Sequence, residues 1–185
     1  MRIIAGKFGG RHLNPPRDSK IRPTTDRIKQ MIFDALGYPF RFQRILDLFA
    51  GTGNLGLEAM SRGAESVIFV DNSNSATEII SANCQLLALS ASAQIVRTDV
   101  FKALNHFSTQ SSKFDLIFAD PPYQKMYAQS ILAFFENADL LAENGLLVLE
   151  HSSRDFPQPD LSRIQCVKQK NSGETSFSFY SVRCN

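Results

Sequence analysis

A chain of 185 residues that is 43% hydrophobic and 21% charged suffices for one domain with a sizeable core and is too short for two ordinary ones. Its three cysteines, Cys84, Cys166 and Cys184, are odd in number and lack CxxC spacing, so neither a zinc site nor a disulfide framework is indicated, and reducing cytoplasm is the expected compartment. The net charge of +2 is segregated: residues 1–30 carry eight Lys or Arg against Asp18 and Asp26, a net of +6, while the remainder stands at −4.

Taken in chain order, the first element is basic but not a tail. Arg2, Lys7, Arg11, Arg17, Lys20, Arg22, Arg27 and Lys29 are interleaved with turn-formers and short apolar stretches, which predicts a small β-hairpin pairing Arg2–Ala5 with Arg11–Leu13. Clustered cations of this kind suit phosphates, because neutralising them releases condensed counterions. No apolar h-region precedes the hairpin, and Gly9, Gly10, Pro15 and Pro16 would break an amphipathic transit helix. Nor does any apolar run approach the roughly 18 residues of a membrane span.

Pro23-Thr24-Thr25-Asp26 then opens a helix with a Thr cap, an acid in the first turn and Ile28, Met31, Ile32, Ala35 and Leu36 on one face, ending at Gly37 and Pro39. Apolar strand-like runs follow at Ile45–Leu48, Val67–Val70, Ile95–Val96, Leu116–Ala119 and Leu146–Leu149, separated by helical stretches near 54–62, 75–89, 100–107 and 127–138. Such alternation predicts an α/β fold: a doubly wound parallel sheet buried on both faces. The last two runs, Ile164–Lys168 and Phe177–Val182, flank Asn171-Ser172-Gly173 and read as an antiparallel hairpin completing seven strands. There is no internal repeat or linker, so residues 1–185 are expected to form one domain, with a basic hairpin over 1–20 and the core over 21–185.

The first strand leads into Asp47-Leu48-Phe49-Ala50-Gly51-Thr52-Gly53-Asn54-Leu55-Gly56. Gly51, Gly53 and Gly56 satisfy GxGxxG at a strand-to-helix turn, where backbone can approach a ligand closely. The pattern fits a dinucleotide-binding dehydrogenase, since Asp71 lies 20 residues after Gly51, as a ribose-binding acid should. Asp47 argues otherwise. A carboxylate upstream of a pyrophosphate cradle repels it, whereas S-adenosylmethionine brings a cationic amino group and a sulfonium. Asp47 can equally cap backbone amides. Asp99, after the third strand, can reach the adenine amine of the same cofactor or cap the next helix. Asn72 beside Asp71, and Val100 beside Asp99, join Phe49, Ala50 and Thr52 in the expected cofactor set.

Asp120-Pro121-Pro122-Tyr123 follows the run Phe114–Ala119. Two prolines hold φ at about −65° and donate no N–H, leaving carbonyl acceptors on a rigid backbone. Asp120 adds a carboxylate and Tyr123 an aromatic face, a combination suited to the exocyclic amine of a nucleobase. A stiff turn after a strand is the plainer reading. In a doubly wound sheet the fourth strand lies beside the first, so DPPY is expected next to the glycine loop.

These motifs together resemble class I S-adenosylmethionine-dependent methyltransferases of the amino-methylating group and, more narrowly, the RsmD family of bacterial 16S ribosomal RNA guanine-N2 methyltransferases. The matching stretches are RIIAGKFGGRHL at 2–13, IRPTTDRIKQMIFDAL at 21–36, LDLFAGTGNLGLEAMSRGA at 46–64, FDLIFADPPY at 114–123 and LLVLE at 146–150. Asp71 stands where Glu is expected, and NSGET replaces a Tyr-Gly turn. The resemblance implies a Rossmann-like methyltransferase sheet, transfer to a guanine N2 amine of 16S ribosomal RNA, as naked RNA or as an assembling small subunit, and a cytoplasmic monomer. It implies that Asp120, Pro121, Pro122 and Tyr123 carry the chemistry, and that Arg22, Thr24 and Thr25 cover the methionine end of the cofactor.

The mechanism so implied has Asp120 and the Pro121 carbonyl accept the two amine N–H bonds while Tyr123 stacks on the base. Guanine offers adjacent N1–H and N2–H donors that suit a carboxylate, but adenine-N6 methyltransferases also carry DPPY, so an RNA or DNA adenine-N6 enzyme is the alternative. A nicotinamide-dependent dehydrogenase and a non-catalytic RNA-binding module remain as other classes. His12 can touch phosphate from the hairpin; His106 and His151 lack metal-ligand spacing and read as structural, and no metal is expected. Glu150 either lines the crevice or solvates a strand end.

Overall fold

The computed structural model describes residues 1–15, 24–122, 126–153 and 161–183. Helix α1 (Asp26–Leu36) begins where the Thr25 hydroxyl accepts the Ile28 N–H at 3.3 Å, and it stops at Gly37, whose φ of 90° turns the chain out of the helix. There follow β1 (Arg44–Leu48), α2 (Asn54–Ser61), β2 (Ser66–Asp71), α3 (Asn74–Leu86), β3 (Ala93–Arg97), α4 (Val100–Thr109), β4 (Phe114–Ala119), α5 (Tyr127–Asn137), β5 (Leu141–Ser152), β6 (Ile164–Ser172) and β7 (Thr175–Val182). All seven strands form one sheet in the order β3-β2-β1-β4-β5-β7-β6. The first five are mutually parallel, and β7 runs antiparallel between β5 and β6. The strand order therefore reverses between β1 and β4, where a doubly wound sheet opens its ligand crevice.

Both faces of the central parallel strands are covered, which is why β1, β2 and β4 lack regular polar alternation. Ile45, Val67, Phe69, Phe118, Val148, Phe177 and Phe179 pack in one apolar layer with residues of α1, α2 and α3. Leu46, Leu48, Val70, Ile117, Leu147, Leu149 and Tyr180 pack in the other with residues of α4 and α5. Successive side chains of a strand point to opposite faces. Asp47 and Asp71 thus share the α1–α3 face with Ile45 and Phe69, and Glu150 shares it with Val148.

The N-terminal hairpin is more rudimentary than expected. A single antiparallel bridge joins Arg2 and His12, with Ile3 N–H on the Arg11 carbonyl at 2.9 Å and Gly10 N–H on the Ile3 carbonyl at 2.9 Å. Extended strands do not form because the Ile4 and Ala5 amides turn instead to the Glu58 carboxylate, at 2.8 and 3.0 Å. The strap lies along α2, with the Lys7 N–H on the Ser61 carbonyl at 2.7 Å. Strand β5 is longer than its apolar run, since Leu141 already pairs with Phe114 before an irregularity in register.

Under the strap, Glu58 and Lys29 are both fully buried and paired at 3.2 Å. Glu58 also accepts Arg62 Nε at 2.9 Å, and Lys29 donates to the Arg2 carbonyl and to Asn54 Oδ1. Burial pulls the Lys29 ammonium down, against the pull of Glu58. The basic segment therefore loses one of its cations to the interior. Among the described residues no helix is long and apolar enough to cross a membrane.

Candidate active site

The carboxyl ends of β1, β2, β4 and β5 bring Asp47, Asp71, Asp120 and Glu150 to one edge of the sheet. Asp47 is buried, and its Oδ2 accepts the Gly56 N–H at 2.9 Å. Burial, opposed by that hydrogen bond and aided by Asp71, pushes its carboxyl up to about 8. Asp120 follows Ala119, which pairs with Leu149, so Asp120 and Glu150 sit on neighbouring strands at one level. Part of Asp120 reaches solvent, yet protein surrounds its carboxyl, and burial first, then Glu150 and Asp47, hold it well above the usual carboxylate range. Like charges held this close in a protein interior favour protonation or the arrival of a cation.

The loop after β1 is folded for close approach. Gly53 has φ 72°, and a Cβ there would stand 3.1 Å from Ile80 and 3.2 Å from Phe69. A Cβ on Gly56 would meet the Phe69 ring at 2.4 Å, so the third glycine lets α2 lie on the sheet. Phe49 takes φ 55° without being glycine, a strained conformation of the kind that collects at functional sites. Asp71 holds the loop: its Oδ2 accepts the Gly51 N–H and its Oδ1 the Ser73 N–H, both at 2.9 Å. Each oxygen retains a further lone pair for a ligand hydroxyl. Ala50 and Thr52 are buried in the same turn, and Asn72 is exposed beside Asp71.

Asp99 caps α4, its Oδ1 accepting the Phe101 and Lys102 amides at 3.0 and 3.2 Å. Val100 is buried beneath it. Thr24 comes to the glycine loop because Asn54 Nδ2 donates to its carbonyl at 2.8 Å, while Asn54 Oδ1 accepts Lys29 Nζ at 2.9 Å. Pro121 is buried and Pro122 exposed. Arg22 and Tyr123 lie outside the described residues.

Four contributors went unnoticed in the sequence. Asn54 and Lys29 tie the start of α1 to the glycine loop, and Phe101 and Tyr127 form an aromatic row with Phe49. The Phe49 and Tyr127 rings are 5.4 Å apart, and Phe101 and Tyr127 5.9 Å. Their signal was positional: Tyr127 opens the helix after DPPY, and Phe101 follows the Asp99 cap. His151 is held in place, its Nδ1 on the Ser152 carbonyl and its Nε2 against Ser178 Oγ, each at 2.8 Å. A carbonyl only accepts, so Nδ1 carries the proton. Burial lowers the His151 pKa. Among the described residues, no group of His, Cys, Asp and Glu side chains is placed to hold a metal ion.

Residues 1–181 match the family model described as "Conserved hypothetical protein 95". The chain is 36% identical over 184 residues to the Bacillus subtilis protein named "Putative rRNA methyltransferase YlbH", covering 99% of this chain and 100% of that one. It is 31% identical to "Ribosomal RNA small subunit methyltransferase D" of Haemophilus influenzae, over 97% of this chain and 93% of the relative. The solved structure of "Putative methyltransferase yhhF from Escherichia coli" superposes with a TM-score of 0.85 at 26% identity, over 98% of this chain and 97% of that one.

Proposed function

This chain belongs to the RsmD family of methyltransferases, and on that premise we propose that it transfers a methyl group from S-adenosylmethionine to the exocyclic N2 amine of a guanine in small-subunit ribosomal RNA. The observation that carries the reading is the convergence of Asp47, Asp71, Asp120 and Glu150 on the crevice beside a glycine loop. A crevice lined by buried carboxylates disfavours a pyrophosphate and favours a cation, so the residues present fit this cofactor and not a nicotinamide dinucleotide. Bound there, S-adenosylmethionine supplies a cationic amino group and an electrophilic methyl on a sulfonium.

Asp47 and the glycine loop would hold the methionine end, and Asp71 the ribose hydroxyls. Thr24, anchored through Asn54, stands over the same loop. Asp120 and the Pro121 carbonyl accept the amine N–H bonds, turning the nitrogen lone pair toward the methyl. The guanine lone pair is delocalised into its ring, so orientation matters, and fixing two reactants can lower a barrier by about 7–11 kcal/mol. Once methylated, the amine nitrogen would carry a positive charge. Its surplus proton passes to Asp120, which Glu150 adjoins. Tyr123, from its place in DPPY, is assigned to stacking on the base, a contact worth about 1–3 kcal/mol.

Incubation with methyl-labelled donor and small ribosomal subunits from a strain lacking this gene tests the reading. Label should enter the ribosomal RNA, and a protein that leaves it unlabelled overturns the proposal.

A further inference from the structure

Helix α1 and the edge strand β6 enclose a groove of about 510 Å³ lined by Arg27, Gln30, Met31, Asp34, Ala35, Lys168 and Lys170. Lys168 and Lys170 pair with Phe179 and Phe177 of β7, so both lysines point to the face that α1 covers. Lys168 Nζ donates to the Ala35 carbonyl at 2.6 Å and closes the lower end. Asp34, the acid of the lining, accepts Gln30 Nε2 at 2.5 Å. Arg27 and Lys170 are exposed, and they occupy the other end.

That end is level with the carboxylates. Glu150 pairs with Phe177, and Phe177 with Lys170, so one line across the sheet runs from the crevice to the groove. With strands about 4.8 Å apart, Lys170 lies about 10 Å from Glu150 and about 14 Å from Asp120, backbone to backbone. The start of α1, which carries Arg27, is pinned to the glycine loop through Thr24 and Asn54.

Among its described residues, the N-terminal strap is less well placed. Lys29 is buried, and Arg2 is paired with Asp26 at 2.8 Å. Lys7 is bound to Ser61, at the far end of an eight-residue helix, about 12 Å along α2 from the loop. Its ammonium and the Arg11 guanidinium both rest on the Phe8 ring.

Resting on the reading that the chain methylates ribosomal RNA, we propose that the α1–β6 groove binds the phosphodiester backbone flanking the target nucleotide, with Arg27 and Lys170 as the phosphate contacts nearest the crevice. Three cations against one acid, Asp34, with two of the cations on the end nearest the transfer site, favour a polyanion over a protein partner there. Lys168 supports the groove floor through Ala35.

The test compares the full chain with an Arg27→Glu, Lys170→Glu double variant and a Lys7→Glu, Arg11→Glu double variant. Binding to a labelled fragment of small-subunit ribosomal RNA is followed against salt, alongside methyl transfer and S-adenosylmethionine binding. The groove variant should bind RNA at least about tenfold more weakly at 0.1 M salt, and its log–log salt slope should be shallower by about 1.4, near 0.7 per lost phosphate on a single strand. Cofactor affinity and melting temperature should hold, and an Arg27→Gln, Lys170→Gln pair should fall between. Unchanged RNA affinity and slope, or a loss confined to the strap variant, overturn the proposal. Failure of the parent protein to methylate the RNA would sink the assigned function instead, and the binding series would still decide the groove.

Discussion

Asp120 and Glu150 stand side by side at the carboxyl ends of β4 and β5, one residue beyond the Ala119–Leu149 pairing. Burial first, and then the neighbouring Glu150, hold the Asp120 carboxyl well above its ordinary range. The proposed acceptor of the amine therefore sits next to a second carboxyl group.

Replacing Glu150 by Gln removes the neighbouring charge that holds Asp120 high. The Asp120 carboxyl should then ionise at lower pH, and the acid limb of the methyl-transfer rate should move down with it. The pH profile of kcat for the variant and its parent measures this, and an unmoved limb would show that Asp120 is not the group that must ionise.

Asp120 itself should be indispensable to transfer and secondary to cofactor binding. Asp120→Ala should lower kcat by about 10²–10⁴, the range for a positioned proton acceptor, while S-adenosylmethionine affinity changes by less than about tenfold. Calorimetry and single-turnover rates separate the two effects. Near-parental turnover would remove Asp120 from the chemistry.

Asp47 gives predictions of two signs. Its folded pKa of about 8 lies above the ordinary 3.8, so the folded state binds more protons, and its contribution to stability is lost as pH rises from about 4 to about 8. Asp47→Asn keeps an acceptor for the Gly56 amide and abolishes that loss. The variant should gain in Tm relative to the parent between pH 5.5 and pH 8. A cationic ligand favours the ionised form, so cofactor affinity of the parent should climb from pH 5.5 to pH 7.5, below titration of the ligand's amino group. In the variant the climb should flatten and affinity should fall at least about tenfold.

The fold was legible because burial on both sheet faces leaves uninterrupted apolar runs, as in Val67–Val70 and Leu116–Ala119, and because Thr25, Asp99 and the glycines mark element ends chemically. Asp47, Asp71 and Asp120 could be placed on one edge from strand order alone. What a linear pattern does not encode is which polar group another will choose. Asp47 caps Gly56 as well as lining the crevice, and the Ile4 and Ala5 amides leave their expected hairpin for Glu58. Lys29 read as part of a basic surface, since only the packed structure reveals its partners.

Lys29 accordingly makes a stability prediction. Lys29→Met strips Glu58 of a fully buried counter-ion and Asn54 of a donor, and breaking such a pair from one side costs about 3–5 kcal/mol. Denaturant unfolding should show that loss, and cofactor affinity should weaken because Asn54 anchors Thr24. A variant as stable as the parent would mean that the strap and α1 are held by packing alone.

The central claim is tested most directly by identifying the modified nucleoside. Small-subunit ribosomal RNA methylated by this protein, digested and analysed by mass spectrometry, should yield N2-methylguanosine, and mapping should place it at one site. N6-methyladenosine, or no methylated nucleoside at all, would contradict the account.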